Sequence, residues 1–256
     1  MGDDKFIRLE VADGVARLVL ARPPLNILNI EMMEELNSAL ERVQALAEVR
    51  ALVMAAEGKA FSAGVAVEDH LGDRVKPMLE AFHRIFHLLR ALPCPTVAAV
   101  QGAALGGGSE LATFCDFVIA SETATFGQPE IKVGVFPPIA AVHYPNRIGL
   151  ARTLQLLLTG EVIGAKEAER IGLVDRVVPA AQLPAAVEEV LVKLSDKSRA
   201  VLALTRRAVL DAAGQPFDAA LRAVESLYHA ELMQTEDARE GLRAFVEKRA
   251  PVWKHR

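Results

Sequence analysis

The stretch from Val97 to Leu111, VAAVQGAALGGGSEL, constrains the fold of this chain most. An apolar strand pattern over Thr96–Gln101 runs into a turn of consecutive glycines. A helix pattern then opens at Ser109-Glu110-Leu111. Glycines at a strand-to-helix junction remove the Cβ atoms that would keep a ligand from the backbone. The first-turn N–H groups of the helix have no partners of their own and point outward with a favourable dipole. A tight packing turn would use glycine in the same way, so the run alone does not assign a site. It lacks both the GxGxxG and the GxxxxGK[ST] spacing, which removes support for a dinucleotide or a P-loop reading.

The rest of the chain repeats this style of punctuation. Phe6–Val11 and Val15–Ala21 alternate apolar and polar residues around Asp13-Gly14, a hairpin signal. Asn29 stands where it can cap a helix from Glu31 to about Leu46, and Arg50–Ala55 reads as a buried strand. A loop over Glu57–Gly64 leads to a helix from about Val75 to Leu92, stopped by Pro93 and Pro95. Short strands are expected at Phe117–Ala120, Thr125–Phe126 and Val174–Val178, with helical stretches near 107–114 and 139–158. From about Leu183 the pattern is helical, with a break near Gly214–Pro216. Strand-strand-helix or strand-helix units followed by a helical appendage predict an α/β fold.

Composition narrows the function classes. Among 256 residues, 52% are hydrophobic and 24% charged, the balance of a chain with a packed core. A formal net charge of -4, with no basic stripe, gives no attraction to nucleic acid or to an anionic membrane. No apolar stretch reaches eighteen residues, and MGDDKFIRLE carries no targeting pattern, so a soluble cytoplasmic protein is expected. The two cysteines, Cys94 and Cys115, lack CxxC spacing and lie in apolar segments, which fits reduced thiols rather than a disulfide.

Two carboxylates draw attention. Glu110 sits inside the glycine-helix motif among Leu105, Leu111, Ala112 and Phe114. Glu130 lies in Phe126-Gly-Gln-Pro-Glu-Ile, followed by the apolar Val133-Gly-Val-Phe. A carboxyl group in apolar surroundings has a raised pKa and can serve as acid or base near neutrality. Each could equally be a helix cap or half of an ion pair. A second backbone-donor loop is plausible at Lys59-Ala-Phe-Ser-Ala-Gly-Val, where small residues again follow an apolar strand. His83 and His87 stand four apart on a helix, but without an HExxH glutamate or a third ligand nearby no metal site is expected. Ser62 and Ser109 lack a GxSxG elbow, and Cys115 has no histidine close in sequence. His70, His143 and Tyr144 are left without an assigned role.

The combination resembles the crotonase (enoyl-CoA hydratase/isomerase) superfamily. The matching stretches are KAFSAG at 59–64, VQGAALGGGSEL at 100–111, CDFVIA at 115–120, FGQPEIKVG at 126–134, LLLTGEVIGAKEAERIGLVDRVVP at 156–179 and EDAREGLRAFVEKRAP at 236–251. ARPPLNILN at 21–29 corresponds loosely to the RPxxxNAL of the family. The resemblance implies a spiral of ββα units over residues 1–195, holding the acyl-CoA site. It also implies a helical region over 196–256 that builds a homotrimer or a dimer of trimers. By position, Val65 and Gly107 would supply the two backbone donors of an oxyanion hole. Glu110 and Glu130, twenty residues apart, match the glutamate pair of the hydratases. Ala63, Val67 and Leu25 would line the path of coenzyme A, and Phe245 and Lys248 match a segment that reaches the coenzyme A of a neighbouring subunit. No metal or redox cofactor is implied, because coenzyme A enters as part of the substrate.

Departures from the family pattern bear on the substrate. Ala66 stands where the family has an aspartate, Pro24 stands where a CoA-contacting lysine is frequent, and Pro137-Pro-Ile-Ala-Ala-Val-His-Tyr-Pro replaces a glycine-rich stretch. RPPLNILN, FSAGVAVEDH and GVFPPIAAV look like the cyclohexa-1,5-diene-1-carbonyl-CoA hydratases of aromatic-compound degradation. The resemblance thus implies a hydratase, a hydro-lyase adding water to an unsaturated acyl-CoA, with cyclohexa-1,5-diene-1-carbonyl-CoA the substrate these stretches imply. Alternatives are a linear enoyl-CoA hydratase, an enoyl-CoA isomerase or a CoA-binding protein without catalysis. An isomerase often manages with one acidic residue, so the presence of both glutamates favours water addition.

Overall fold

The structure is a computed structural model and describes residues 5–256. The chain opens with a hairpin of β1 (Ile7–Ala12) and β2 (Val15–Leu20), paired in register from Ile7↔Leu20 to Ala12↔Val15. Asp13 and Gly14, at φ of 52° and 77°, supply the two left-handed residues that a two-residue hairpin turn requires. Helix α1 (Ile30–Ala45) follows, and the Asn29 side chain accepts from Met32 N at 3.1 Å, as the capping signal predicts.

Three strand-strand-helix units come next. They are β3 (Ala51–Ala56), β4 (Ala60–Ser62) and α2 (Val75–Ala91); then β5 (Thr96–Val100), β6 (Ala103–Leu105) and α3 (Gly107–Thr113); then β7 (Phe117–Ser121), β8 (Thr125–Gly127) and α4 (Pro138–Ile148). The first strand of each unit joins one sheet, in the order β1-β2-β3-β5-β7, and the second joins another, in the order β4-β6-β8. Pairing along both series is parallel from β2 and from β4 onward. The chain therefore advances by one strand in each sheet per unit, which is a spiral.

Helix α5 (Leu150–Thr159), strand β9 (Val162–Gly164), helix α6 (Ala165–Arg170) and strand β10 (Arg176–Val178) complete this part. Strand β9 closes the small sheet antiparallel to β8, and β10 closes the large one parallel to β7. The single helix expected over 139–158 is in fact two. Gly149, at φ 77°, turns the chain between α4 and α5. Strands β4, β6 and β9 were not expected. Each has three residues, too few to display a period, and their partners lie far away in sequence.

The large sheet is buried on both faces, so its strands read as continuous apolar runs. In β3, Leu52 and Met54 face the main core with α1 and α2, whereas Ala51 and Val53 face a second core with Leu183, Val187 and Leu191 of α7 (Leu183–Ser195). The expected helical C-terminal region is present as α8 (Arg199–Ala212), α9 (Phe217–Ala230) and α10 (Glu236–Val246). Helices α8 and α9 bury no residue fully within the described chain, and Phe217, Tyr228 and Phe245 stand exposed. Arg206 ties α8 to the core, beside Arg90 of α2, which donates to Leu210 O at 2.7 Å and pairs with Asp211. The Arg206 guanidinium pairs with Asp116 at 2.7 Å and donates to the carbonyls of Leu89, Arg90 and Leu92, which end α2.

Candidate active site

Register in the small sheet assembles the site. Parallel pairing of Ser62 with Ala104, and of Leu105 with Gly127, brings the ends of β4, β6 and β8 to one edge. The segments that leave that edge are 63–67, 106–110 and 128–130. Loops at the carboxyl ends of parallel strands are where α/β sheets hold ligands. These three line a cavity of about 360 Å³, with Val65, Gly107, Glu110 and Glu130 all on its wall.

Asn26 holds the first loop from below. Its buried side chain donates to the carbonyls of Glu57 and Ala60, at 2.7 and 2.9 Å, and its own carbonyl accepts from Ser62 Oγ at 2.8 Å. Leu28 N donates to Gly64 O, and Ala66 N donates to Leu28 O, both at 2.9 Å. In this parallel bridge the intervening Val65 N–H faces the other way and is left to serve the cavity. Gly107 is the first residue of α3, so its N–H has no acceptor within the helix. The hydrogen bond from Gly106 N to Gly127 O, 2.9 Å, fixes where that helix begins. Two backbone donors with no acceptor among the described residues thus belong to the wall of one cavity.

The three glycines prove to have different reasons. A Cβ on Gly106, which sits at φ 52°, would fall on the Glu130 carboxylate. A Cβ on Gly107 would lie 2.7 Å from Val65 Cγ2 and 2.9 Å from Phe82 Cζ, both in the cavity wall. Gly108 meets Ser62 backbone instead, which is a packing requirement. All three positions are thus closed to a Cβ by the chain's own atoms, and at Gly106 and Gly107 those atoms also line the cavity.

Glu110 is buried, and its Oε1 accepts from Ala140 N at 2.7 Å in the first turn of α4. It therefore caps a helix while also lining the cavity. Burial pushes its carboxyl up to about 8; the Ala140 N–H opposes the rise and the charge of Glu130 adds to it. Glu130 is half-buried in the short helical turn Pro129–Val133, and loss of solvent pushes its carboxyl up to about 7. Two carboxyl groups that titrate near neutrality, close enough to feel one another, are suited to sharing a proton.

Other residues singled out in the sequence are distributed as follows. Ala63 and Val67 line the cavity, as does His70, whose Nδ1 lies 3.0 Å from Ala66 O. Leu25 is half-exposed and outside the cavity wall, and touches the donor loop through its carbonyl, which accepts from Ala63 N at 2.9 Å. Phe245, 84% exposed, and Lys248 lie at the end of α10, away from the cavity of their own chain. His143 Nε2 lies 2.9 Å from Thr113 O behind α3, outside the cavity. Cys94 and Cys115 are buried free thiols, both pushed up by burial to about 12, which leaves them inert. Among the described residues, no group of three or more His, Cys, Asp or Glu is placed to hold a metal ion, His83 and His87 included.

Residues 10–256 match the family model described as enoyl-CoA hydratase/isomerase. The chain belongs to the enoyl-CoA hydratase/isomerase family. Within that family it is 39% identical over 251 residues to a cyclohexa-1,5-dienecarbonyl-CoA hydratase of Thauera aromatica, covering 97% of this chain and 96% of that one. It is also 39% identical over 253 residues to "Probable enoyl-CoA hydratase echA8" of Mycobacterium tuberculosis, covering 98% of both. The solved structure of an enoyl-CoA hydratase from Bacillus anthracis superposes with a TM-score of 0.91 at 30% identity, over 98% of this chain and 100% of that one. The crotonase spiral expected from the sequence is therefore the fold of the molecule.

Sequence reasoning missed one group in this family member's site. Gln128, wholly buried, lies between Tyr144 and Glu130, and Tyr144 lies in turn beside Ser109. A neutral amide next to a proline carries no periodic or charge signal, so nothing in the chain order marks it.

Proposed function

We propose that this chain is a hydratase that adds water across a double bond conjugated to an acyl-CoA thioester. The observation that carries the reading is the convergence on one cavity of two unpartnered backbone donors, at Val65 and Gly107, with two carboxyl groups of raised pKa. With the thioester oxygen between the two N–H groups, negative charge that develops there during addition is stabilised without reorganisation. One carboxylate takes a proton from water as its oxygen bonds to the β-carbon, and the other carboxyl gives a proton to the α-carbon. A pair sharing one proton supplies both roles. We assign water activation chiefly to Glu110 and carbon protonation chiefly to Glu130, a division that requires the shared proton to sit on Glu130 although burial holds Glu110 the higher of the two, at about 8 against about 7. The chemistry draws on no cofactor, since coenzyme A arrives with the substrate.

For the acyl group we propose a compact cyclic dienoyl group. Supporting this are the rigid Pro137–Pro138 segment and Phe82, both in the wall of a cavity of only about 360 Å³, together with the Thauera aromatica relative. For assembly we propose that residues 196–256 build a trimer or a dimer of trimers in the cytoplasm. The exposed apolar side chains of α9 and α10 would be covered there, and Phe245 and Lys248 would reach a neighbour's substrate. A panel of linear enoyl-CoA and cyclic dienoyl-CoA thioesters, followed by loss of ultraviolet absorbance, tests the substrate. The cyclic dienoyl thioester is expected to give the highest kcat/KM. A clear preference for a linear four-carbon enoyl thioester would remove the cyclic reading and leave the hydratase.

A further inference from the structure

The buried polar side chains behind the two glutamates form a directed chain. Tyr144, on α4, is fully enclosed, and its hydroxyl lies 2.9 Å from Ser109 Oγ and 2.8 Å from the end of the Gln128 amide, whose oxygen belongs there once the amide is turned to satisfy both of its ends. In that amide orientation the Gln128 nitrogen faces both carboxylate oxygens of Glu130, at 3.2 and 3.3 Å. The opposite orientation would set the amide oxygen against the ionised carboxylate left once Glu130 has given its proton, acceptor against acceptor. At its far end the amide meets the Tyr144 hydroxyl, which can give or take a hydrogen bond. With the Gln128 nitrogen on Glu130, the Tyr144 proton goes to the Gln128 oxygen, and the Ser109 hydroxyl is left to donate to the Tyr144 oxygen. Thr113 Oγ1 is already occupied, donating to Ser109 O at 2.6 Å.

We propose that Tyr144 is a positioning residue of the proton-transfer site, its hydroxyl holding Gln128 so that the amide N–H₂ is presented to the Glu130 carboxylate. The inference rests on reading Glu130 as the group that gives a proton to carbon. As that proton leaves, charge appears on the Glu130 oxygens, and a donor already aimed at them stabilises it with no rearrangement. Without the tyrosine hydroxyl the Gln128 oxygen is left buried and unpaired in that orientation, which weakens the hold on the amide. Nothing else nearby substitutes for this control. The titratable groups that share the cavity with Glu130 are Glu110, His70 and Lys132, and Glu110 is of like charge. Lys132 is exposed on the same turn. Helix α5, which packs against that turn, carries Arg152 as its only charged residue, and Arg152 is bonded to Gln155.

The test is the pH profile of kcat/KM for hydration, in wild type, Tyr144→Phe, Gln128→Met and the double variant. Losing a donor to the ionised form favours the protonated form, so the profile of Tyr144→Phe is expected to move to higher pH by roughly one unit. KM is expected to change little while kcat falls. Gln128→Met should give the same displacement, and the double variant no more than either, because the two side chains act as one arm. An unshifted profile in a folded Tyr144→Phe, or additive displacements in the double variant, would overturn the proposal. If the tyrosine variant does not fold, Gln128→Met alone decides, by whether its profile moves up or stays. Glu130→Gln separates the two levels. Full activity in that variant removes the reading of Glu130 itself, whereas an inactive Glu130→Gln beside an unshifted Tyr144→Phe removes only the arm.

Discussion

Glu110 sits where a carboxylate is costly, and that cost is visible as a stability effect separate from catalysis. Its ordinary value is 4.5 and burial raises it to about 8. Between those values the folded chain holds a proton that the unfolded chain has released, so stability falls as pH rises through this window. The stabilising protonated form is fully present below 4.5 and lost above about 8. Glu110→Gln should therefore be more stable than wild type above pH 8, by a margin that shrinks towards pH 4.5 and is read from denaturant midpoints across that range. A margin independent of pH would mean that folding does not hold the Glu110 carboxyl above its ordinary value. Glu110 and Glu130 stood out in the sequence because charges amid apolar neighbours are rare. Gln128 and Tyr144 did not, because what makes them matter is a hydrogen-bond direction that only the packed core defines.

At the scale of elements, the parts with strong local chemistry were legible. Asp13-Gly14 dictates the first hairpin, Asn29 caps α1, and the glycine run marks the junction of β6 and α3. The three-residue strands of the small sheet were not legible, because Ala60–Ser62 and Ala103–Leu105 gain their structure from partners 43 and 22 residues away in register. Those same strands set the site, so chain order revealed its residues before it revealed why they meet. The attachment of α8 is another long-range feature. Arg206 is nearly buried at its side chain and pairs with Asp116 and with three carbonyls at the end of α2, linking α8 to the core. Arg206→Ala leaves those acceptors without their shared donor. It is expected to cost about 3 kcal/mol of unfolding free energy by chemical denaturation. A loss below about 0.5 kcal/mol, the range of ordinary surface substitutions, would show that α8 is held by other contacts.

At the scale of the molecule, the spiral explains why the chemistry is where it is. Each turn delivers one strand end to the same edge of the small sheet, and three successive turns deliver Val65, then Gly107 with Glu110, then Glu130. No single segment carries the activity, and the motifs become a site only through parallel register. The account is tested most directly by the rate of hydration of an unsaturated acyl-CoA thioester by wild type, Glu110→Gln and Glu130→Gln, with acyl-CoA affinity measured alongside. Wild type is expected to hydrate the thioester. Each variant should fall by on the order of 10²–10⁴-fold in kcat while binding acyl-CoA within a few fold of wild type. Full hydration activity in either variant would contradict it.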